Sequence, residues 1–293
     1  MKILFFGTSN YCLPVLETLH KNFDLVAVVT KSHNMKTLSE TPYRPDFIGS
    51  GTGVKVFTPN NKSELLSLKE NLETLRPDLA IVADYGMIIP KEIFNIPSHQ
   101  TLNIHFSKLP KYRGPSPVQY TILEGDKSAW ITIIIMDEGI DTGMIIWQKE
   151  VKILDGSETT SDLYRELFSI AASELPSIIN KYTNKQLKTS KQLNSEATYT
   201  KSFTRKDGFI PHQVLEKALK GEGAAKIERE LRAFSPWPGL WTIVNIPQPK
   251  RLKLLKSHIE NKQLVLDEIQ LEGKKPVTWK QFQEGYPNYG NRK

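Results

Sequence analysis

The chain opens on a short apolar run, KILFF at 2–6, closed by the polar turn Gly7-Thr8-Ser9-Asn10. From Tyr11 to His20 the apolar period changes, and Leu13, Leu16 and Leu19 share one face of a helix. DLVAVVT at 24–30 is β-branched and of strand length, so residues 2–30 read as a β-α-β unit. The alternation continues with a strand at 54–58, a helix from Glu64 to Leu75 and, after Pro77-Asp78, a strand at 79–85. TLNIHF (101–106), WITIIIM (130–136) and MIIWQKEVKI (144–153) are further strands, and a long helix is predicted from Thr160 to Tyr182. Strands apolar throughout that alternate with helices predict an α/β fold with a largely parallel, doubly wound sheet. Ligands bind such sheets beyond the carboxyl ends of the strands. That rule singles out Gly7-Thr8-Ser9, Tyr85-Gly86-Met87 and the stretch after Asn103.

The pattern changes near residue 184. NKQLKTSKQLNSEATYTKS is poor in aliphatic and rich in polar residues, and reads as a linker. A helical patch from Glu216 to Phe234 follows, then short runs at 240–246, 251–259, 263–271 and 277–282. These predict a small β-barrel with a helix among its strands. The expected organisation is therefore a catalytic domain over 1–184, a linker over 185–202 and a barrel over 203–293.

Composition sharpens this picture in four places. With 293 residues, 39% hydrophobic and 24% charged, the chain suits two globular domains. Cys12 is the single cysteine, which excludes an intramolecular disulfide and a multi-cysteine zinc site. In its apolar segment it reads as a small buried hydrophobe. The four apolar residues after Lys2 are too few for a signal peptide, and no run approaches membrane-spanning length, so a cytoplasmic protein without membrane contact is expected. The net charge of +7 is uneven: 18 Lys+Arg face 10 Asp+Glu from residue 201 onward, against 21 and 22 before it. A basic final third suits a polyanion such as nucleic acid, or simply a solvated surface, and charge alone does not choose between them.

The densest chemistry lies in Asn103-Ile104-His105-Phe106-Ser107-Lys108-Leu109-Pro110-Lys111-Tyr112-Arg113-Gly114. Asn103 and His105 alternate on a strand and share a face. Both can donate hydrogen bonds to a developing oxyanion, and His can move protons near neutral pH. Equally, they could be a satisfied polar pair at a sheet edge. Asp137-Glu138-Gly139-Ile140-Asp141-Thr142-Gly143 could be only a turn, or could bring Asp141 to the His105 face, where an Asp–His pair orients the imidazole. It lacks the acidic spacing of a calcium loop. No G-x-G-x-x-G, Walker A, HExxH or G-x-S-x-G motif occurs, which disfavours dinucleotide chemistry and a covalent acyl-enzyme. Direct attack by one substrate on a bound donor is the simpler route.

NIHFSKLPKYRGPSPVQY followed by MDEGIDTGMII resembles the signature of the folate-dependent formyltransferases. MKILFFGTSNYCLPVL, ADYGMIIP and LRAFSPWPGLW (231–241) resemble segments of the members that act on methionyl-tRNA. The resemblance spans nearly the whole chain. It implies a Rossmann-like domain joined to an OB-like barrel, and 10-formyltetrahydrofolate as donor without a metal. The implied acceptor is the amine of initiator methionyl-tRNA, and a monomer is expected. It carries over Asn103, His105 and Asp141 as catalytic residues. Ser107, Lys108, Leu109 and Pro110 correspond to a folate-contacting segment, and Tyr85, Gly86, Met87 and Ile88 to a loop that holds the pterin. Arg113-Gly114 is expected to anchor a loop, and Trp237 to act as a packing wedge.

Two departures stand out. Lys108 replaces the family's usual Leu, where it could meet the glutamate tail of folate or lie solvated. The 31–47 loop lacks the family's Gly-Arg-Gly stretch, for which Lys31, Lys36 and Arg44 could substitute. Three alternatives follow: formylation of an amino sugar nucleotide, hydrolysis of formyl-folate, and a tRNA-binding protein that has lost catalysis.

Overall fold

A computed structural model describes residues 1–31, 53–153 and 156–287. In chain order the first elements are β1 (Lys2–Gly7), α1 (Leu13–Asn22), β2 (Asp24–Val29), β3 (Lys55–Phe57), α2 (Lys62–Ser67) and α3 (Lys69–Leu75). Next come β4 (Leu79–Ala83), α4 (Lys91–Phe94), β5 (Thr101–His105), α5 (Pro117–Leu123), β6 (Ser128–Ile135), β7 (Ile145–Lys152) and α6 (Thr160–Thr183). The last are α7 (His212–Leu219), α8 (Ala224–Ala233), β8 (Leu240–Ile246), β9 (Gln248–Glu260), β10 (Gln263–Leu271), β11 (Val277–Thr278) and α9 (Trp279–Gly285).

β1 to β7 form one sheet in the order β3-β2-β1-β4-β5-β6-β7. β1 to β5 are mutually parallel, and β6 joins β5 antiparallel. This is the doubly wound sheet that the apolar runs predict. Strand parity sorts the side chains. Leu4, Phe6, Ala27, Val29, Ala80 and Val82 face Leu65, Leu72, Ile93 and Phe94 of α2 to α4. Ile3 and Phe5 point the other way and are buried as well, while Phe106 meets Phe168 of α6 edge-on at 4.5 Å. The strand order reverses between β1 and β4, where Thr8 N–H donates to Asp84 O at 3.1 Å. A ligand crevice is expected outside that point.

The described residues divide into two compact units. One comprises Met1–Pro117, Ala129–Val151 and Tyr164–Tyr199; the other comprises Val118–Ser128, Lys152–Leu163 and the chain from Thr200 onward. These differ from the boundaries drawn by composition. Much of the expected linker is tied into the first unit: Ser190 bridges Ile145, and Arg113 N–H donates to Thr198 O at 2.8 Å. In the second unit, Arg229 Nε donates to Leu123 O and Thr160 Oγ1 to Ala233 O. Hydrogen bonds between residues far apart in sequence thus draw 118–128 and 152–163 into it.

The small β module of the second unit is a four-stranded antiparallel sheet, β11-β10-β9-β8, with a bulge near Asp267 that bends it. α7 and α8 cover its inner face with Leu215, Ile227 and Leu231 over Leu252, Leu254 and Leu266. The single helical patch expected here is split by Gly221 and Gly223, both at positive φ. The strand expected over 277–282 ends at Thr278, where a Thr278–Gln281 capping box starts α9. No helix of the described residues is long and apolar enough to cross a membrane.

Candidate active site

Asn103 and His105 lie at the carboxyl end of β5, on the face they share with Val82. The 137–143 turn brings Asp141 to them. Asn103 Nδ2 donates to Asp141 Oδ1 at 3.1 Å, and Gly114 N–H donates to Oδ2 at 2.8 Å. His105 Nδ1 lies 3.5 Å from Oδ2. At its other nitrogen, His105 Nε2 lies 2.9 Å from Tyr112 O. A carbonyl only accepts, so the neutral ring carries its hydrogen on Nε2 and presents a lone pair at Nδ1. With 6% of its surface exposed, the imidazole is held in one orientation. A proton gained at Nδ1 would face the Asp141 carboxylate across that 3.5 Å gap. The arrangement can accept a proton, hold it and return it.

The turn is held closed by its own polar groups. Asp137 Oδ1 accepts from Gly139 N–H and from Thr142 Oγ1, which closes the loop on itself. Asp141 has φ 53°, the left-handed region that costs a residue with a side chain about 1–3 kcal/mol. A Cβ at Gly143 would stand 1.7 Å from Ile135 O, so this position admits only glycine. Gly143→Ala is expected to destabilise the first unit by about 3 kcal/mol or to displace the turn. Chemical denaturation together with the activity per folded molecule checks this.

The residues expected around the donor are placed unequally. Ser107 is buried, with Oγ donating to Lys111 O at 2.6 Å, and Leu109 is buried as well. Both build the turn after β5, and the half-buried Pro110 accepts at its carbonyl from Thr198 N–H. Lys108 is exposed, with Nζ 4.5 Å above the Trp130 ring, a cation–π contact that neither expectation for it included. Tyr85 packs edge-on against Phe6, and Gly86 N–H donates to Thr8 Oγ1. Met87 N–H closes back on Tyr85 O, which leaves Ile88 71% exposed. Ile140, beside Asp141, is 61% exposed, and no pattern in the sequence singles it out. Asp84 at the head of β4 keeps accessible surface, yet loss of surrounding water pushes its carboxyl above the usual range.

Other expectations resolve as follows. Arg113 anchors its loop and is 1% exposed, and Cys12 is buried, where burial pushes its thiol up. Trp237, expected as a packing wedge, leaves 51% of its surface exposed. Lys31 donates to Gly86 O and so supports the 85–88 loop; Lys36 and Arg44 fall outside the described residues.

Residues 1–179 match the formyl transferase family model, and 221–264 match the formyl transferase C-terminal domain. The chain belongs to the formyl transferase family. A methionyl-tRNA formyltransferase of Clostridium novyi is 30% identical, covering 97% of each chain. One from Marinobacter nauticus is 34% identical over 83% of this chain and 76% of its own. Among solved structures, the methionyl-tRNA formyltransferase of Clostridium thermocellum shares the fold with a TM-score of 0.59 at 23% identity, over 92% of this chain and 98% of that one. The N-formyltransferase from Helicobacter canadensis, solved with folinic acid and dTDP-3-aminofucose, gives 0.62 at 22% identity over 95% and 98%. Fold alone therefore does not distinguish formyl transferases by acceptor, whereas the two sequence relatives named above are both methionyl-tRNA formyltransferases.

Proposed function

We infer that this chain transfers a formyl group from 10-formyltetrahydrofolate to the free amine of initiator methionyl-tRNA. The Asn103–Asp141–His105 constellation at the end of β5 carries the reaction. The methionyl-tRNA formyltransferases that match most of the chain support the acceptor. Asn103 has one amide hydrogen beyond the one given to Asp141, and that donor suits the formyl oxygen as negative charge develops on it. An α-amine titrates near pH ~8, so much of it attacks without a strong base. His105 Nδ1, with Asp141 beside it, takes the proton released from the attacking nitrogen. It then returns that proton to the donor nitrogen as the old C–N bond breaks, so no net proton is gained or lost. Orientation and oxyanion stabilisation supply most of the acceleration. Ile88 and Ile140 offer apolar surface for the donor's ring system, and Lys108 a cation for its carboxylate tail.

The second unit supplies a surface for the RNA. Trp241 and Ile243 on β8 lie opposite Lys253 and Arg251 on β9, all on the face turned away from Leu252 and Leu254. Arg251 stacks over Trp241 at 4.3 Å, and Phe209 lies 4.8 Å from the same ring. Cations interleaved with aromatic rings suit phosphates and bases together.

The test supplies 10-formyltetrahydrofolate with either initiator methionyl-tRNA or an amino sugar nucleotide and compares kcat/KM. Methionyl-tRNA is expected to be preferred by several orders of magnitude. Preference for the sugar nucleotide, or release of free formate with both, would refute the acceptor.

A further inference from the structure

The structure assigns Gln192 a positioning role in formyl transfer: its carboxamide ties the backbone around Asp141 to the buried guanidinium of Arg113. This rests on the reading of Asn103, His105 and Asp141 as the reaction centre, but not on the identity of the acceptor. Gln192 lies in the stretch whose composition reads as a linker. Its Oε1 accepts from Arg113 Nε at 3.0 Å and from Nη2 at 2.8 Å. Its Nε2 donates to Asp141 O and to Gly143 O, each at 2.8 Å. Those four bonds fill the whole capacity of a carboxamide. The orientation is forced, because a guanidinium only donates and carbonyls only accept.

The far end of the link is fixed. Arg113 also donates from Nη2 to Asn194 Oδ1 at 3.0 Å and from Nη1 to Tyr199 OH at 3.4 Å. Its backbone is paired with Thr198. The near end is the strained part of the turn: Asp141 holds a positive φ, and its carbonyl and that of Gly143 are the two that Gln192 clamps. Gly114, next to Arg113, donates to the Asp141 carboxylate. Backbone and side chain of Asp141 are thus both referred to the 112–114 loop, which also supplies the Tyr112 carbonyl that fixes His105. Gln192 closes this ring of interactions. Without it the turn can relax, and the carboxylate shifts relative to His105 Nδ1. Misplacement by about 1 Å is enough to cost on the order of a hundredfold in rate.

Gln192→Met keeps the length and removes all four bonds. Gln192→Glu keeps acceptors toward Arg113 but sets a carboxylate oxygen against two carbonyls. Both variants are purified at full length, checked for fold by circular dichroism, and assayed for transfer alongside Asp141→Asn. The expected result for Gln192→Met is a ten- to hundredfold fall in kcat, with both KM values within about threefold of the parent. Gln192→Glu is expected to fall at least as far, so the pair remains decisive if one variant folds poorly. A residue that only supported the fold would lower the yield of folded protein and leave kcat per folded molecule unchanged. An unchanged kcat in folded Gln192 variants, or a raised KM alone, overturns the positioning role while Asp141→Asn remains strongly impaired. Near-parent turnover in Asp141→Asn overturns the underlying reading of the centre instead.

Discussion

Asp141→Asn is expected to lower formyl transfer by about 10²–10⁴-fold, and His105→Ala by a similar factor, with the fold retained in both. Two donors, Asn103 Nδ2 and Gly114 N–H, converge on the Asp141 carboxylate, one on each oxygen. An asparagine satisfies one of them and turns its own N–H₂ toward the other. The resulting mispairing costs about 1–2 kcal/mol, little enough for the fold to survive. The chemical loss is larger, because the charge that stabilises protonated His105 is gone. His105→Ala removes the group proposed to accept the proton and leaves the Tyr112 carbonyl without its ring donor. The check is kcat at saturating donor and acceptor, with a melting curve for each variant. Near-normal turnover in either would end the assignment of the proton path. Both substitutions lie in the first unit, whereas the basic sheet face belongs to the second, so methionyl-tRNA affinity is expected to be unaffected.

The second large effect concerns that face. The double substitution Arg251→Gln, Lys253→Gln is expected to raise the KM for methionyl-tRNA ten- to a hundredfold near 0.1 M salt. The dependence of log affinity on log salt should become shallower by roughly 1–2, about one for each phosphate no longer neutralised. Donor KM and kcat should stay near the parent values. A titration at several salt concentrations reads both quantities. An unchanged slope would mean that these cations are merely solvated, the bland alternative that charge counting leaves open. Point substitutions are preferable to deletion of the final third. Without the chain from Thr200 onward, Leu123 O and Thr160 Oγ1 are deprived of Arg229 and Ala233, and 118–128 and 152–163 of the core they pack on. A deletion would then report misfolding along with weakened RNA binding.

Much of the fold, and the placement of Asn103, His105 and Asp141, was legible in the sequence because it is local. Apolar runs of strand length imply the parallel sheet, and the period-two rule places Asn103 and His105 on one face. The glycine-rich turn points to Asp141, since a short loop between adjacent strands can reach only a small region. What was not legible depends on partners distant in sequence. Polar composition at 185–202 reads as a linker, but Gln192 and Asn194 are polar because they bond the buried Arg113. Lys108 looked like a free cation because nothing nearby in sequence reveals Trp130 beneath it. Ser107 faces inward because the turn after β5 closes on Lys111 O, a geometry that residue type does not encode. The start of α9 was readable in principle: Thr278-x-x-Gln281 is a capping-box pattern that outweighs the β propensity of Val277 and Trp279.

The proposed reaction at this centre moves a formyl group from folate to methionine on tRNA. The most direct test is a single-turnover reaction with excess protein, 10-formyltetrahydrofolate labelled in its formyl carbon, and initiator or elongator methionyl-tRNA, followed by isolation of the aminoacyl-tRNA. Label is expected on the methionine of the initiator in the parent protein, much less on the elongator, and with Asp141→Asn it is expected to appear about 10²–10⁴-fold more slowly. Label absent from tRNA while the donor still binds, or transfer undiminished in Asp141→Asn, would rule out this reaction at this centre.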